Sequence, residues 1–420
     1  VRNTRIIMAA MAATALLAAA CGGDDNGNGE AAGNGEATGN GEATGDDGEA
    51  TGDGEATGEP IVIGGIFDLS GATADVGEPY SQGARDYVAW RNSTQDGVGG
   101  REIELEWQDY AYEVPNAEQL YTQFIANGAV GIQGWGTADT EALSGSITAD
   151  EVPFMSASWA ETLVDPSESP YNFVVGPTYS DQMRVALAWI AEDAGGPTEV
   201  AAFHNDSPFG TSPLADGQAY IEEEGLDINL ETYAMPGGAT DYVGEISRAE
   251  AQGAEYIVVQ NVASPAAQLV RNLQDQGSDI QVVCLNWCAA ELLIELAGDV
   301  AEGVVGVHPI LGPASDAPGL DPIREYLESD GRSIDDIDTF YVQGWYTTHA
   351  MAEGLAALVD SGDEVTGANL ATTLQTMGPI ETGVSEPIEF TSDSHRGMSA
   401  SNLLRVEDGR FLPFEEGVSP

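Results

Sequence analysis

From residue 60 onward, short runs of β-branched and apolar residues alternate with amphipathic stretches. "IVIGGIF" precedes a segment over 79–92 in which Tyr80, Ala84, Tyr87 and Val88 share one face at helical spacing. "EIELEW" leads into a helical pattern over 116–126, and "GAVGIQG" into one over 138–149, after which "VPFMSAS" is strand-like again. The second half repeats the rhythm, with "EVAAFHN" before a helix near 211–224 and "INLETYAM" before one near 242–251. "EYIVVQN" precedes a helix with Ser264 as expected N-cap, Pro265 in its first turn and Gly277 past its end. "IQVVCLN", a helix near 289–297 and "GVVGVHP" complete the series. This alternation predicts an α/β chain with two doubly wound parallel-sheet lobes.

Ligands of such sheets bind beyond the carboxyl ends of the strands. Those ends read "DLSGATADVG" (68–77), "GWGTADT" (134–140), "SASWAE" (156–161), "NDSPFG" (205–210), "NVASP" (261–265) and "CLNWC" (284–288). They are rich in Gly, Ser, Thr and aromatic residues and poor in basic ones. Trp135, Trp159, Phe209 and Trp287, with Tyr80 near them, predict an aromatic-lined pocket. Such a pocket suits a flat aromatic acid, an apolar amide or an organic cation. Thr137 is the expected N-cap of the helix that follows it, where it either caps or helps to receive an anion; an inward Asp139 would weaken an anion site.

The first residues change the picture of where the chain works. Arg2 and Arg5 precede an apolar run over 6–20, and small residues lead into Cys21. This resembles a bacterial lipoprotein signal, with Ala18 where such signals usually carry Leu. It implies a signal peptide over 1–20, lipidation of Cys21 and an extracytoplasmic, lipid-anchored protein on the outer face of the cell membrane or in the periplasm. Repeats such as "GNGEAT" over 21–59 lack aromatic and basic residues and predict a disordered acidic tether. The remaining length suffices for two domains with real cores. The balance of 13 basic to 70 acidic residues, a net charge of −57 with no Lys at all, argues against nucleic acid or anionic membrane surfaces as partners. An acidic, halophile-like surface accounts for it.

"IGGIFDLSGATADVGEPYSQGARDYVAWRN", "AGDVAEGVVGVHP" (297–309) and "GVSEPIEFTSDSHRGMSASNLLRVEDGRF" (383–411), in this order, resemble the type I periplasmic binding proteins. The similarity is to the branched-chain amino acid (Leu/Ile/Val) and amide receptors of ABC transporters, and it covers 60–420. It implies an N-terminal lobe over 60–178 and 309–400 and a C-terminal lobe over 179–308 and 401–420. Three crossovers near 177–179, 308–310 and 399–403 would join them. It further implies ligand contacts at Ser70, Trp135, Thr137, Ser156, Ser158, Trp159, Phe209, Val262, Asn286 and Trp287. The hydroxyls at 137, 156 and 158 match positions that hold a ligand carboxylate. Asn286 matches a position where amino-acid receptors carry an acid for the α-ammonium, and a neutral amide there puts an ordinary amino acid in doubt. Phe209 matches a cleft tyrosine. The partners implied are a small-molecule ligand and an ABC permease, with the protein a monomer that touches the membrane only through its lipid. The same lobes could instead serve a sensor read by a membrane kinase or chemoreceptor.

Catalysis finds little support. His204, His308, His349 and His395 lack metal-like spacing, and no nucleophile elbow, phosphate loop or dinucleotide fingerprint occurs. No metal and no cofactor is expected. Cys284 and Cys288 are either a short-loop disulfide, favoured by an oxidising compartment, or two buried thiols.

Overall fold

The structure, a computed structural model, describes residues 58–420. The expected signal segment, Cys21 and all but the last two residues of the tether lie outside the described residues. The first lobe opens with β1 (Ile61–Phe67), α1 (Ala74–Gln95), β2 (Ile103–Asp109), α2 (Val114–Ala126), β3 (Ile132–Gly134), α3 (Thr137–Asp150), β4 (Phe154–Ser156) and β5 (Asn172–Phe173). The other lobe contributes α4 (Tyr179–Ala194), β6 (Thr198–Asn205), α5 (Pro208–Thr211), α6 (Leu214–Glu224), β7 (Ile228–Met235), α7 (Val243–Gln252), β8 (Tyr256–Gln260), α8 (Ala263–Gln276), β9 (Gln281–Cys284), α9 (Glu291–Ala297) and β10 (Val305–His308). The chain then adds α10 (Asp321–Ser329), α11 (Thr339–Ser361) and α12 (Gly367–Leu374), and ends in β11 (Ser401–Glu407) and β12 (Arg410–Val418).

Two sheets result, ordered β2-β1-β3-β4-β5 and β12-β11-β10-β9-β8-β6-β7. The first is parallel throughout. The other is parallel from β10 to β7, while β11 and β12 extend its edge antiparallel. The central strands are apolar on both faces, as helices packed on each side require. β8 is buried along its whole length.

α11 returns to the first lobe and crosses α1 backbone to backbone. A Cβ on Gly83 would stand 2.0 Å from the Tyr341 carbonyl oxygen, and one on Gly344 would stand 1.9 Å from that of Tyr80. Glycine at both positions permits this approach, which fixes Tyr80 under the cleft. Near the passage between lobes, Thr178 and Asp181 form a capping box at the start of α4. The buried Asp181 carboxylate also receives Arg396 Nη1 at 3.0 and 2.9 Å, which ties the segment before β11 to the start of α4.

Three local expectations are corrected. α8 begins at Ala263 with Val262 as N-cap, so Ser264 lies inside the first turn rather than capping it. Its side chain is not needed there, because Asn261 Oδ1 takes the Val262 N–H at 2.9 Å and the Ser264 N–H points across the cleft. Gly136, not Thr137, is the N-cap of α3. The pattern over 211–224 divides into α5 and α6 on either side of Ser212 and Pro213.

Candidate ligand-binding cleft

The strand ends of both sheets meet over one narrow cavity with about 250 Å³ of empty volume, solvent at its mouth included. The first lobe supplies Thr73, Val76, Tyr112, Trp135, Gly136, Thr137 and Ala157; Tyr179 comes from the start of α4, and Phe209, Val262 and Trp287 from the second lobe. No basic side chain lines it.

The loop after β1 is shaped by Asp68, which accepts from the Gly71 N–H at 2.6 Å, the Thr73 N–H at 2.8 Å and the Thr73 hydroxyl at 2.7 Å. That hydroxyl accepts from Trp135 Nε1 at 2.8 Å and so orients the indole. The loop after β2 is held by Asp109, which accepts from the Ala111 N–H at 2.8 Å. Ala111 and Tyr112 both adopt left-handed backbone, at φ 53° and 57°. Two consecutive non-glycine residues there carry strain, and the result is to aim Tyr112 into the cavity. Burial works against the Asp109 carboxylate, but hydrogen bonds from Ser70, Leu69 and Ala111 hold its pKa below the usual range.

The N-terminus of α3 is closed by its own Asp139, which accepts from the Gly136 N–H at 3.1 Å and the Tyr110 hydroxyl at 2.9 Å. Burial raises the Asp139 pKa to about 7 against the opposing effect of these bonds. The neighbouring hydroxyls are already paired. Thr137 and Ser158 share a bond of 2.6 Å; Ser156 bonds Thr140 at 2.8 Å and receives the Ser158 N–H at 2.9 Å.

Aromatic rings fill most of the space. Trp135 lies 5.2 Å from both Tyr80 and Trp287, and Trp287 stacks on Phe340 at 5.5 Å. Trp287 Nε1 donates to the Tyr179 hydroxyl at 2.9 Å, and Tyr179 meets Phe209 edge-on at 5.4 Å. Trp287, Phe209 and Val262 therefore belong to the same apolar cluster as the first lobe's core. Two carboxylates also bridge the lobes. Asp75 takes the Ser264 N–H of α8 at 3.0 Å. Glu291, at the start of α9, takes the Thr339 N–H and hydroxyl of α11 at 2.8 and 2.9 Å. Burial raises the pKa of Glu291, and raises that of Asp338, the α11 N-cap, to about 7, with the Glu291 charge adding to the shift.

Of the residues singled out in the sequence, Trp135, Thr137, Phe209, Val262 and Trp287 line the cavity. Ser156, Ser158, Trp159 and Asn286 are buried but do not line it. Ser70 is exposed, with its hydroxyl on Asp109 at 2.5 Å. Thr73, Tyr112 and Tyr179 line the cavity without being singled out by sequence. The end of β2 is a strand end like the others, and "DYAYE" there carries the signal for Tyr112; Tyr179 stands out in sequence only as part of a crossover. In this structure Cys284 and Cys288 are free, buried thiols. Both lie in an apolar cluster, and Cys288 Sγ is spent on the Val259 carbonyl at 3.5 Å. Burial, then the neighbouring Cys284, pushes the Cys288 thiol up. His395 stacks on Phe173 at 4.1 Å and lies outside the cleft. Among the described residues no cluster of His, Cys, Asp and Glu is placed to hold a metal ion, and no helix is long and apolar enough to cross a membrane.

Comparison with known proteins gives a consistent family. A family model described as "Periplasmic binding protein" matches residues 60–410. The Leu/Ile/Val-binding protein homolog 2 of Brucella abortus (strain 2308) is 22% identical over 363 residues, covering 85% of this chain and 94% of that protein. The structure of a branched chain amino acid ABC transporter from Thermus thermophilus with bound valine matches with a TM-score of 0.81 and 24% identity, over 87% of this chain and 97% of that one. A fatty acid ABC transporter substrate-binding protein from Thermomonospora curvata matches with a TM-score of 0.78 and 19% identity, over 87% and 94% of the two chains. At these identities the two structures speak for the shared fold.

Proposed function

The chain belongs to the periplasmic binding protein family, and we propose that it is an extracytoplasmic solute receptor that delivers a small molecule to an ABC importer by cleft closure. The observation that carries this is the cavity between the strand ends, walled by Trp135 and Tyr112 from one lobe and by Phe209 and Trp287 from the other. A ligand there touches both lobes only when they close. Its contacts in the closed form exceed those in the open form, and this differential affinity shifts the population toward closure. The closed pair of lobes is then the shape a permease recognises.

Delivery fits a monomer held to the outer face of the membrane by a lipid on Cys21, with 21–59 as its leash. The role proposed is binding and release of the solute without catalysis. The matched proteins are named for ligands as different as branched-chain amino acids and fatty acids. The fold therefore leaves the ligand to local chemistry. Asn286, where amino-acid receptors of this kind carry an acid, speaks against a ligand with an α-ammonium.

The test is a thermal-shift screen of amino acids, amides, aromatic acids and quaternary amines at high salt, followed by small-angle scattering with each solute that stabilises the protein. A ligand-dependent fall in radius of gyration is expected. Stabilising solutes that leave the radius unchanged would overturn closure as the mechanism.

A further inference from the structure

Two hydrogen-bonded joints cross the cleft, and both have the same make-up. In each, a carboxylate in the first turn of a helix in one lobe meets a backbone N–H in the first turn of a helix in the other. Asp75 of α1, in the first lobe, accepts from the Ser264 N–H of α8 at 3.0 Å. Glu291 of α9, in the second lobe, accepts from the Thr339 N–H of α11 at 2.8 Å and from its hydroxyl at 2.9 Å. The two run in opposite directions, so each lobe gives one carboxylate and receives one.

Both joints flank the aromatic cavity without lining it. Val76, next to Asp75, and Val262, two residues before Ser264, line the cavity from opposite lobes. Thr339 precedes Phe340, the ring on which Trp287 stacks. Whatever draws these walls together also brings the joints into register.

Neither joint holds its own lobe together. α11 already has an N-cap, Asp338, whose carboxylate accepts the Tyr341 N–H at 3.0 Å. Glu291 brings a second negative charge to the same helix end, adding to the burial that raises the Asp338 pKa. A helix that needed only a cap would not gain from this repulsion. Gly312 leaves room for the contact, since a Cβ there would stand 2.8 Å from Glu291 Oε1 and 2.3 Å from Thr339 Oγ1. α8 is the converse case. Its N-cap, Val262, offers no side-chain acceptor, so the Ser264 N–H is met from the other lobe. There the N-termini of α1 and α8, two like-signed helix ends, approach each other with the Asp75 carboxylate between them.

We infer that Asp75 and Glu291 are positioning residues for closure: reciprocal clasps that touch no solute and stabilise the closed pair of lobes by capping helices across the cleft. The assignment rests on the receptor function proposed above, and adds that part of the closed form's stability is independent of solute chemistry. Opening breaks all three bonds together, so each clasp supports the other.

Hydrogen exchange of the full chain without added solute, read by mass spectrometry with electron-transfer fragmentation, tests this reciprocity. Asp75→Ala is expected to speed exchange at Thr339, in the other clasp, by about tenfold, the scale of one charge-assisted hydrogen bond lost from the closed form. Glu291→Ala should do the same at Ser264. Asp75→Asn and Glu291→Gln keep an acceptor oxygen, and each should recover part of the protection at the far clasp. Substitutions that speed only the amide they themselves release would make these contacts local pins and overturn the proposal. Equal acceleration in the buried strand β8 would assign the residues to global stability and overturn it as well. In small-angle scattering the double alanine variant should show a larger radius of gyration than wild type; an equal radius counts against the clasps. If exchange is reciprocal while no screened solute compacts the chain, the clasps stand and the receptor function falls. If a solute compacts wild type and both alanine variants alike, with no reciprocal exchange, the receptor function stands and the clasps fall.

Discussion

Two polar regions flank the aromatic cavity, and they are built to opposite rules. At the start of α3, Thr137, Thr140, Ser156 and Ser158 pair among themselves, and Asp139 is taken up by the Gly136 N–H and the Tyr110 hydroxyl. Around Trp287, Asn286 and Gln343 have no partner for either end. The α3 region carries the Ser and Thr hydroxyls that the family resemblance assigns to a ligand carboxylate, yet in this conformation it is self-contained. Around Trp287 the resemblance also implies ligand contacts, at Asn286 and Trp287, while Gln343 carries no such signal in sequence. A polar group that is already paired stabilises the scaffold, whereas one left unpaired in the interior has given up its bonds to water without replacement.

The largest effect should come from the ring between the two regions. Trp287→Ala removes a side chain that contacts Tyr80, Trp135, Phe340 and Tyr179, and ligand affinity is expected to fall about a hundredfold, as for a buried aromatic hot spot. Calorimetry with the solute found by screening measures it. Trp159→Ala comes next, with a stability loss of about 3–5 kcal/mol in urea denaturation, because the indole is wholly buried and Gly176 packs on its face.

A pair of variants separates the two polar regions. Asn286→Ala should weaken the ligand at least tenfold with little change in stability. Thr137→Val should do the reverse, costing about 1–3 kcal/mol by leaving the Ser158 hydroxyl short of its partner, with affinity nearly unchanged. If Thr137→Val proves the more damaging to binding, the α3 end is the recognition site after all.

The smallest effect is a pH slope. The Asp139 pKa in the fold, about 7, stands above the unfolded carboxylate value, so between the two the folded chain binds the extra proton. Its contribution to stability is greatest at the acid end of that window and declines as pH rises toward about 7. Asp139→Asn should flatten that part of the melting-temperature profile between pH 5 and 8, measured as the difference from wild type. An unchanged difference across the range would mean the carboxyl titrates normally.

The sheets are legible in sequence because their cause is local: apolar runs such as "EYIVVQN" and the left-handed Gly277 that stops α8 declare themselves within a few residues. The antiparallel hairpin of β11 and β12 is not, since pairing direction depends on how the chain returns from α12. The cavity is half legible. Strand-end position finds Trp135, Thr137, Phe209, Val262 and Trp287, but does not reveal that Trp159 and Asn286 sit behind the cavity wall rather than in it. Caps mislead for a related reason. Ser264 has the composition of an N-cap, yet its turn is completed by Asp75, 189 residues away, and no window of sequence holds both.

Trp287 offers one more use. It hangs from the second lobe and is nearly dry only because the first lobe covers it, at 4% exposure. Any opening of the cleft must wet that indole, while Trp345, enclosed within the first lobe, stays dry as an internal standard. The chain therefore carries its own optical gauge of lobe separation: emission should move to the red as the lobes part and return when a solute draws them together.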